Sequence, residues 1–99
     1  MSNMDRIIRE EARLIILREL AAQPNYSLNE SLLSSTLETF GIVRPRAWVR
    51  DEMVWLAQMG AVINTEVGSV MIAQLTLKGK DHVEGRYPIE GVKRPSPRA

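Results

Sequence analysis

Residues 45–76 read PRAWVRDEMVWLAQMGAVINTEVGSVMIAQLT, and the spacing of their apolar residues changes at Gly60. Before it, Val49, Met53 and Leu56 recur at intervals of four and three, the stripe that one face of a helix buries. Pro45 suits the first turn of that helix, where no backbone N–H is needed, and Gly60 closes it. The opposite face then holds Arg46, Ala47, Arg50, Asp51 and Val54. Beyond Gly60, Val62-Ile63 and Val70-Met71-Ile72 are strand-like, and Val67-Gly68-Ser69 between them reads as a hairpin turn. A helix running straight into a two-stranded hairpin is the feature around which the rest of the chain is arranged.

Upstream, residues 4–21 hold ten apolar positions and neither Gly nor Pro, which predicts a first helix of about five turns. Within it Leu14-Ile15-Ile16-Leu17 point all the way round the axis, so this helix is covered on more than one side. Pro24 and Asn25 end it. Ser27-Leu28-Asn29-Glu30 then has the form of a capping box, predicting a second helix whose stripe is Leu28, Leu32, Leu33, Leu37 and Phe40 and whose stop is Gly41. Downstream, Thr76 is placed to cap a short helix through Gly85. Residues 86–99 carry three of the five prolines, four basic residues and one acid, and read as an extended tail.

Composition bounds what such a chain does. Ninety-nine residues suit one domain. Thirteen Lys plus Arg against twelve Asp plus Glu give a net charge of +1, so any attraction to nucleic acid must be local. There is no cysteine, which excludes thiolate chemistry and fits a reducing cytosol. The single histidine, His82, has no neighbouring ligand with which to hold a metal, and the five methionines read as fillers of an irregular core. No apolar run approaches the ~18 residues needed to span a bilayer, and no signal-peptide pattern opens the sequence, so the expectation is a cytoplasmic protein without membrane contact. No nucleophile with a base, carboxylate pair or glycine-rich phosphate loop stands out. Neither an enzyme nor a cofactor is expected.

The order helix, helix, helix, hairpin, short helix carries a resemblance. Leu28-Asn29-Glu30 through Gly41, Arg46 through Met59-Gly60-Ala61-Val62, and Leu75-Thr76-Leu77-Lys78-Gly79 resemble the ArsR-like and MarR-like winged helix-turn-helix domains. Tyr26-Ser27-Leu28-Asn29-Glu30 and Gly91-Val92-Lys93-Arg94-Pro95-Ser96-Pro97 look like small winged-helix proteins of Mu-like prophages. The resemblance implies a mainly α fold, with a three-helix core, a two-stranded wing and a short C-terminal helix over residues 1–85, followed by the basic tail of residues 86–99.

It also implies a DNA-binding role, that of a phage or prophage transcriptional regulator, in which the third helix enters the major groove. Arg44, Arg46 and Arg50 fall within seven residues that contain no acid. Arginine forks suit guanine edges or phosphates, and Ala47 could meet a thymine methyl. Ser34 and Ser35 on the second helix, and Lys78 and Lys80 beyond the hairpin, are the further candidate contacts to DNA. Against this, no Lys or Arg occurs from Asp51 to Leu77, so the wing has only Glu66 as a charge. With so few bases per chain, tight binding to double-stranded DNA calls for a homodimer, and Leu14, Ile16, Leu17 and Leu20 of the first helix are the candidate interface. Trp48 and Trp55, seven apart, suit the edge of the core, with partner contact second. The rival expectation is an adaptor that uses the same fold to bind another phage protein through the neutral wing and the tryptophans.

Overall fold

The computed structural model describes residues 2–96 and shows an α+β fold of four helices and a three-stranded antiparallel sheet. Its elements are α1 (Asn3–Ala21), β1 (Ser27–Asn29), α2 (Glu30–Thr39), α3 (Arg46–Gln58), β2 (Val62–Val67), β3 (Val70–Leu75) and α4 (Leu77–Val83). Ser2 caps α1, its hydroxyl accepting from the Asp5 N–H at 3.0 Å. Thr76 caps α4 in the same way through the Gly79 N–H. Its hydroxyl also lies 2.6 Å from the Gly60 carbonyl, so one side chain joins the end of α3 to the start of α4.

The sheet differs from the two-stranded wing expected. Its order is β1-β3-β2, with Ser27, Leu28 and Asn29 paired to Gln74, Ala73 and Ile72. Tyr26, at φ 58°, turns the chain into β1, and its carbonyl accepts from the Leu75 N–H. Ser27 therefore belongs to a strand and forms no capping box. Asn29 caps α2, accepting from the Leu32 N–H at 2.9 Å, which leaves the Glu30 side chain for another task. Three residues are too short a run for alternation to reveal a strand, and the capping pattern covered the same positions.

The core gathers one face of every helix and the inner face of the sheet. Val49, Met53 and Leu56 of α3 and Leu33 and Leu37 of α2 are buried as their spacing requires, whereas Leu32 and Phe40, expected on the same stripe, are exposed and Leu28 lies in β1. Leu14 is 3% exposed, and Ile16, Leu17 and Leu20 are fully buried, because α2, α3, α4 and β3 all pack on α1. These four residues were the expected dimer interface, and that assignment is corrected. The other elements of the same chain already remove them from water, contributing about 1.5–3 kcal/mol for each such side chain.

The tail is corrected too. Ile89 and Val92 are buried, the Lys93 N–H donates to the Glu10 carbonyl, and Arg13 Nη1 donates to the Gly91 carbonyl at 2.8 Å. His82 is fully buried beneath this strap. Its Nδ1 accepts from the Ile89 N–H, so Nε2 carries the hydrogen that reaches the Lys93 carbonyl, 2.9 Å away. Ile89 and Val92 thus join the core and the backbone around them is tied down, and of the expected tail Pro97, Arg98 and Ala99 lie outside the described residues. Prolines and bases gave this stretch the look of a loose end, while its anchors are mainly backbone atoms that composition does not reveal.

Gly91 marks how close the strap runs. It has φ +92°, and a Cβ there would stand 2.7 Å from the Trp55 ring. Gly91→Ala should lower the unfolding free energy by about 1–3 kcal/mol through this overpacking. The melting temperature should fall with it, by about 4–8 °C per kcal/mol, and the tryptophan emission should shift; thermal melts followed by fluorescence check both.

Candidate functional site

Two carboxylates lie in the registers that bury each helix. On α2, Glu30, Leu33 and Leu37 are spaced by three and four, and on α3, Val49, Glu52, Met53 and Leu56 share one stripe. Glu30 is fully buried and Glu52 is 2% exposed. A carboxylate taken out of water is costly unless it is paired and hydrogen-bonded, and both are.

Glu30 organises the surface from which DNA contact was expected. Its Oε2 accepts from Arg50 Nη1 at 2.8 Å and from the Met71 N–H of β3. Arg46 Nε stands 2.8 Å from Oε1, an ion pair whose N–H is not aimed at the oxygen, so Oε1 is compensated in charge and has no hydrogen-bond donor. Arg46 Nη2 completes its grip on α2 by donating to the Ser31 hydroxyl at 2.6 Å. Arg50 reaches further, to Glu66 Oε1 at 2.9 Å and the Ser69 carbonyl at 3.2 Å in the hairpin. One buried acid and two arginines thereby bind α2, α3, β2 and β3 to one another.

Glu52 does the same on the opposite side of α3. Arg9 Nη1 donates to its Oε2 and Arg13 Nε to its Oε1, at 2.5 and 2.6 Å. The same guanidinium groups lie over the tryptophans, Arg9 5.1 Å from the Trp48 ring centre and Arg13 3.7 Å from that of Trp55. Burial alone would pull the Arg9 guanidinium down, but the hydrogen bond and charge of Glu52, with Asp5 behind, hold it above its ordinary value. The half-buried tryptophans sit at the core edge as expected, sandwiched between α3 and charges from α1.

The expected DNA contacts do not converge. Arg50 is spent on Glu30, Glu66 and the hairpin; Arg46, 54% exposed, keeps part of its guanidinium in solvent; Arg44 is half-buried, 5.6 Å from the Trp48 ring. Ala47 and Ser35 are exposed, Ser34 half-buried. Of the three arginines, Arg46 is paired with Glu30 and Arg50 with Glu30 and Glu66. Lys78 packs by Gly60, past the far end of α3, and roughly 20 Å of helix rise separates that point from Arg46. Lys80 lies 5.5 Å from the Tyr26 ring. Sequence reasoning located the outward arginines and missed the acids that hold them. The signal was present: both glutamates occupy buried-stripe positions, and Arg9 and Arg13 stand one turn apart in an apolar helix.

The chain is 40% identical over 93 residues to the Uncharacterized protein gp26 of Escherichia phage Mu, an alignment covering 94% of this chain and 96% of that protein. It belongs to that phage protein family. No family model and no solved structure matches it. No helix of the described residues is long and apolar enough to cross a membrane.

Removing Glu52 strands two guanidinium groups. Glu52→Ala should lower stability by about 3 kcal/mol, whereas Arg9→Ala should cost clearly less because Arg13 still pairs with the acid. Urea unfolding of the two variants and their double mutant measures the difference.

Proposed function

We propose that this chain is a phage winged-helix module that acts as an adaptor, binding other proteins and not reading DNA sequence through its third helix. The element order α1-β1-α2-α3-β2-β3 with the sheet order β1-β3-β2 supports the winged-helix assignment, α2 and α3 forming the helix-turn-helix and β2 and β3 the wing. Membership in a Mu family supports a role within a phage gene set.

The observation that carries the choice is the double pairing of Glu30 with Arg46 and Arg50. A duplex contact needs guanidinium groups that exchange water for phosphate or base edges and release counterions. Here Arg50 would first have to abandon a fully buried carboxylate, which costs several kcal/mol, and Arg46 would offer only the part of its guanidinium left in solvent. The wing adds Glu66 and no cation. Apolar residues stand open instead: Phe40 is 63% and Val43 64% exposed in the turn between α2 and α3. Phe40 also edges a cleft of about 100 Å³ with Leu14, Ile15 and Lys93. Large exposed apolar side chains in a small domain favour a protein partner over a phosphate backbone.

Double-stranded DNA is the second reading. Arg44 and the half-exposed Arg46 favour it, at the start of a helix with no acid in its first turn. Fluorescence anisotropy with mixed-sequence duplex across salt concentrations separates the two. The adaptor reading expects a Kd weaker than about 1 µM at physiological salt, altered less than threefold by Arg44→Ala with Arg46→Ala. A tight, strongly salt-dependent complex lost in that variant would establish the DNA reading in its place. Phe40→Ser should leave the fold intact and weaken binding to a protein encoded by the same phage, as measured by calorimetry with the purified pair.

A further inference from the structure

The sheet order leaves β2 as an edge strand of six residues, and that edge lacks the usual guards. Natural edges carry an exposed lysine, a proline or a covering loop that discourages another strand from pairing. From Asp51 to Leu77 there is no Lys, Arg or Pro. The one charge on β2, Glu66, is already neutralised by Arg50. Ile63 and Val67 are 62% and 61% exposed. On the outer face of the sheet Ile63, Thr65 and Val67 lie beside Gln74, Ile72 and Val70 of β3, and none of the six is charged.

The turn fixes which backbone groups are free. Gly68 has φ +63° and Ser69 does not have positive φ, the pattern of a two-residue type II′ loop closed by Val67 and Val70. The closing pair of such a hairpin is hydrogen-bonded, and so is every second pair from it: Thr65 with Ile72 and Ile63 with Gln74. The N–H and C=O groups of Val62, Asn64 and Glu66 therefore point away from β3. Among the described residues no backbone group outside the sheet bonds to them.

We propose that this edge pairs with the β2 edge of a second copy of the chain, antiparallel about a two-fold axis at Thr65, joining two sheets into one of six strands. The sequence is the reason the occupant is a second copy. Ile63-Asn64-Thr65-Glu66-Val67 has the same pattern of residue classes in either direction, with β-branched residues at both ends and the centre and polar ones between. In this register Ile63 of each copy meets Val67 of the other, Thr65 meets Thr65, and Asn64 meets Glu66, so no like charges oppose one another. Shifting the axis to Asn64, the neighbouring register that keeps the ladder, would set Ile63 against Thr65 and Glu66 against Val62. The free ladder groups of Asn64 and Glu66 find partners, and an uncharged outer face runs across both chains. This association is independent of the adaptor proposal, since it involves neither another protein nor DNA.

Thr65 faces its counterpart at a non-hydrogen-bonded position, where Cα atoms approach to about 4.5 Å, close enough for a disulfide. The chain contains no cysteine, so Thr65→Cys introduces a single thiol. Under mild oxidation of the purified protein this variant should form a covalent dimer, and Ser35→Cys, exposed on α2, should not. Ile63→Lys with Val67→Lys should weaken the dimer at least about tenfold in sedimentation equilibrium, with an unchanged far-UV spectrum and, at concentrations low enough for both proteins to be monomers, an unchanged melting temperature. Cross-linking of Thr65→Cys no greater than that of Ser35→Cys overturns the proposal, as does a wild-type chain that sediments as a monomer up to millimolar concentration. A dimer indifferent to the two lysines would have its interface elsewhere, and also overturns it. All readouts use the chain alone, so a monomer that still binds a phage protein would leave the adaptor reading standing.

Discussion

The buried carboxylate of Glu30 is the constraint on which the α2, α3 and hairpin arrangement depends. It enters the core on the apolar stripe of α2, where an uncompensated charge would be prohibitive. The fold answers by bringing Arg46 and Arg50 from α3 and a main-chain N–H from β3 onto the two oxygens. Arg50 then carries the connection outward to Glu66. That outer contact lies at the surface and is worth little by itself. Its value is geometric, because it fixes the hairpin relative to the helix that precedes it.

Glu52 repeats the device with α1. Arg9 and Arg13 hold its two oxygens and lie over Trp48 and Trp55, so charge pairing and aromatic packing act on the same side chains. α3 is thus tied by acids at two sites, once to α2 and the sheet and once to α1. A helix fixed on both flanks makes a rigid platform, but Arg50 is committed to its acids and Arg46 in part. This commitment separates an arginine cluster in a sequence from a cationic surface in a structure, and it is why the adaptor reading is preferred here to groove recognition.

Much of the architecture was legible in the sequence because periodicity is a local property. The four helices, the turn at Gly68-Ser69 and the buried face of α3 follow from spacings of three and four and from the positions of Gly and Pro, while on α2 the expected stripe held only at Leu33 and Leu37. β1 was not legible, since three residues under a capping pattern carry no period. The docking of residues 86–93 was hidden for another reason: it rests on carbonyl and amide groups that every residue possesses. The same limit applied to the site. Position alone gave the outward direction of Arg46, while its partner on α2, sixteen residues earlier, could be inferred only by asking why an acid occupied a core stripe. The first helix showed the opposite error, for its all-round apolar character was met by the chain's own elements and needed no second subunit.

The strap over His82 has a consequence for how this family can diverge. Its attachments at Ile89, Gly91 and Lys93 run largely through main-chain atoms, and the residues they demand are the two apolar side chains, the imidazole, the Arg13 guanidinium, the side-chain-free position at Gly91 and the Lys93 amine that pairs with Glu11. Residues such as Glu90 and Arg94 are exposed and free of that demand. This border of the molecule is therefore open to mutational drift: its amino acids can be exchanged, and with them its charge, while its shape and its clasp on the first helix are inherited unchanged.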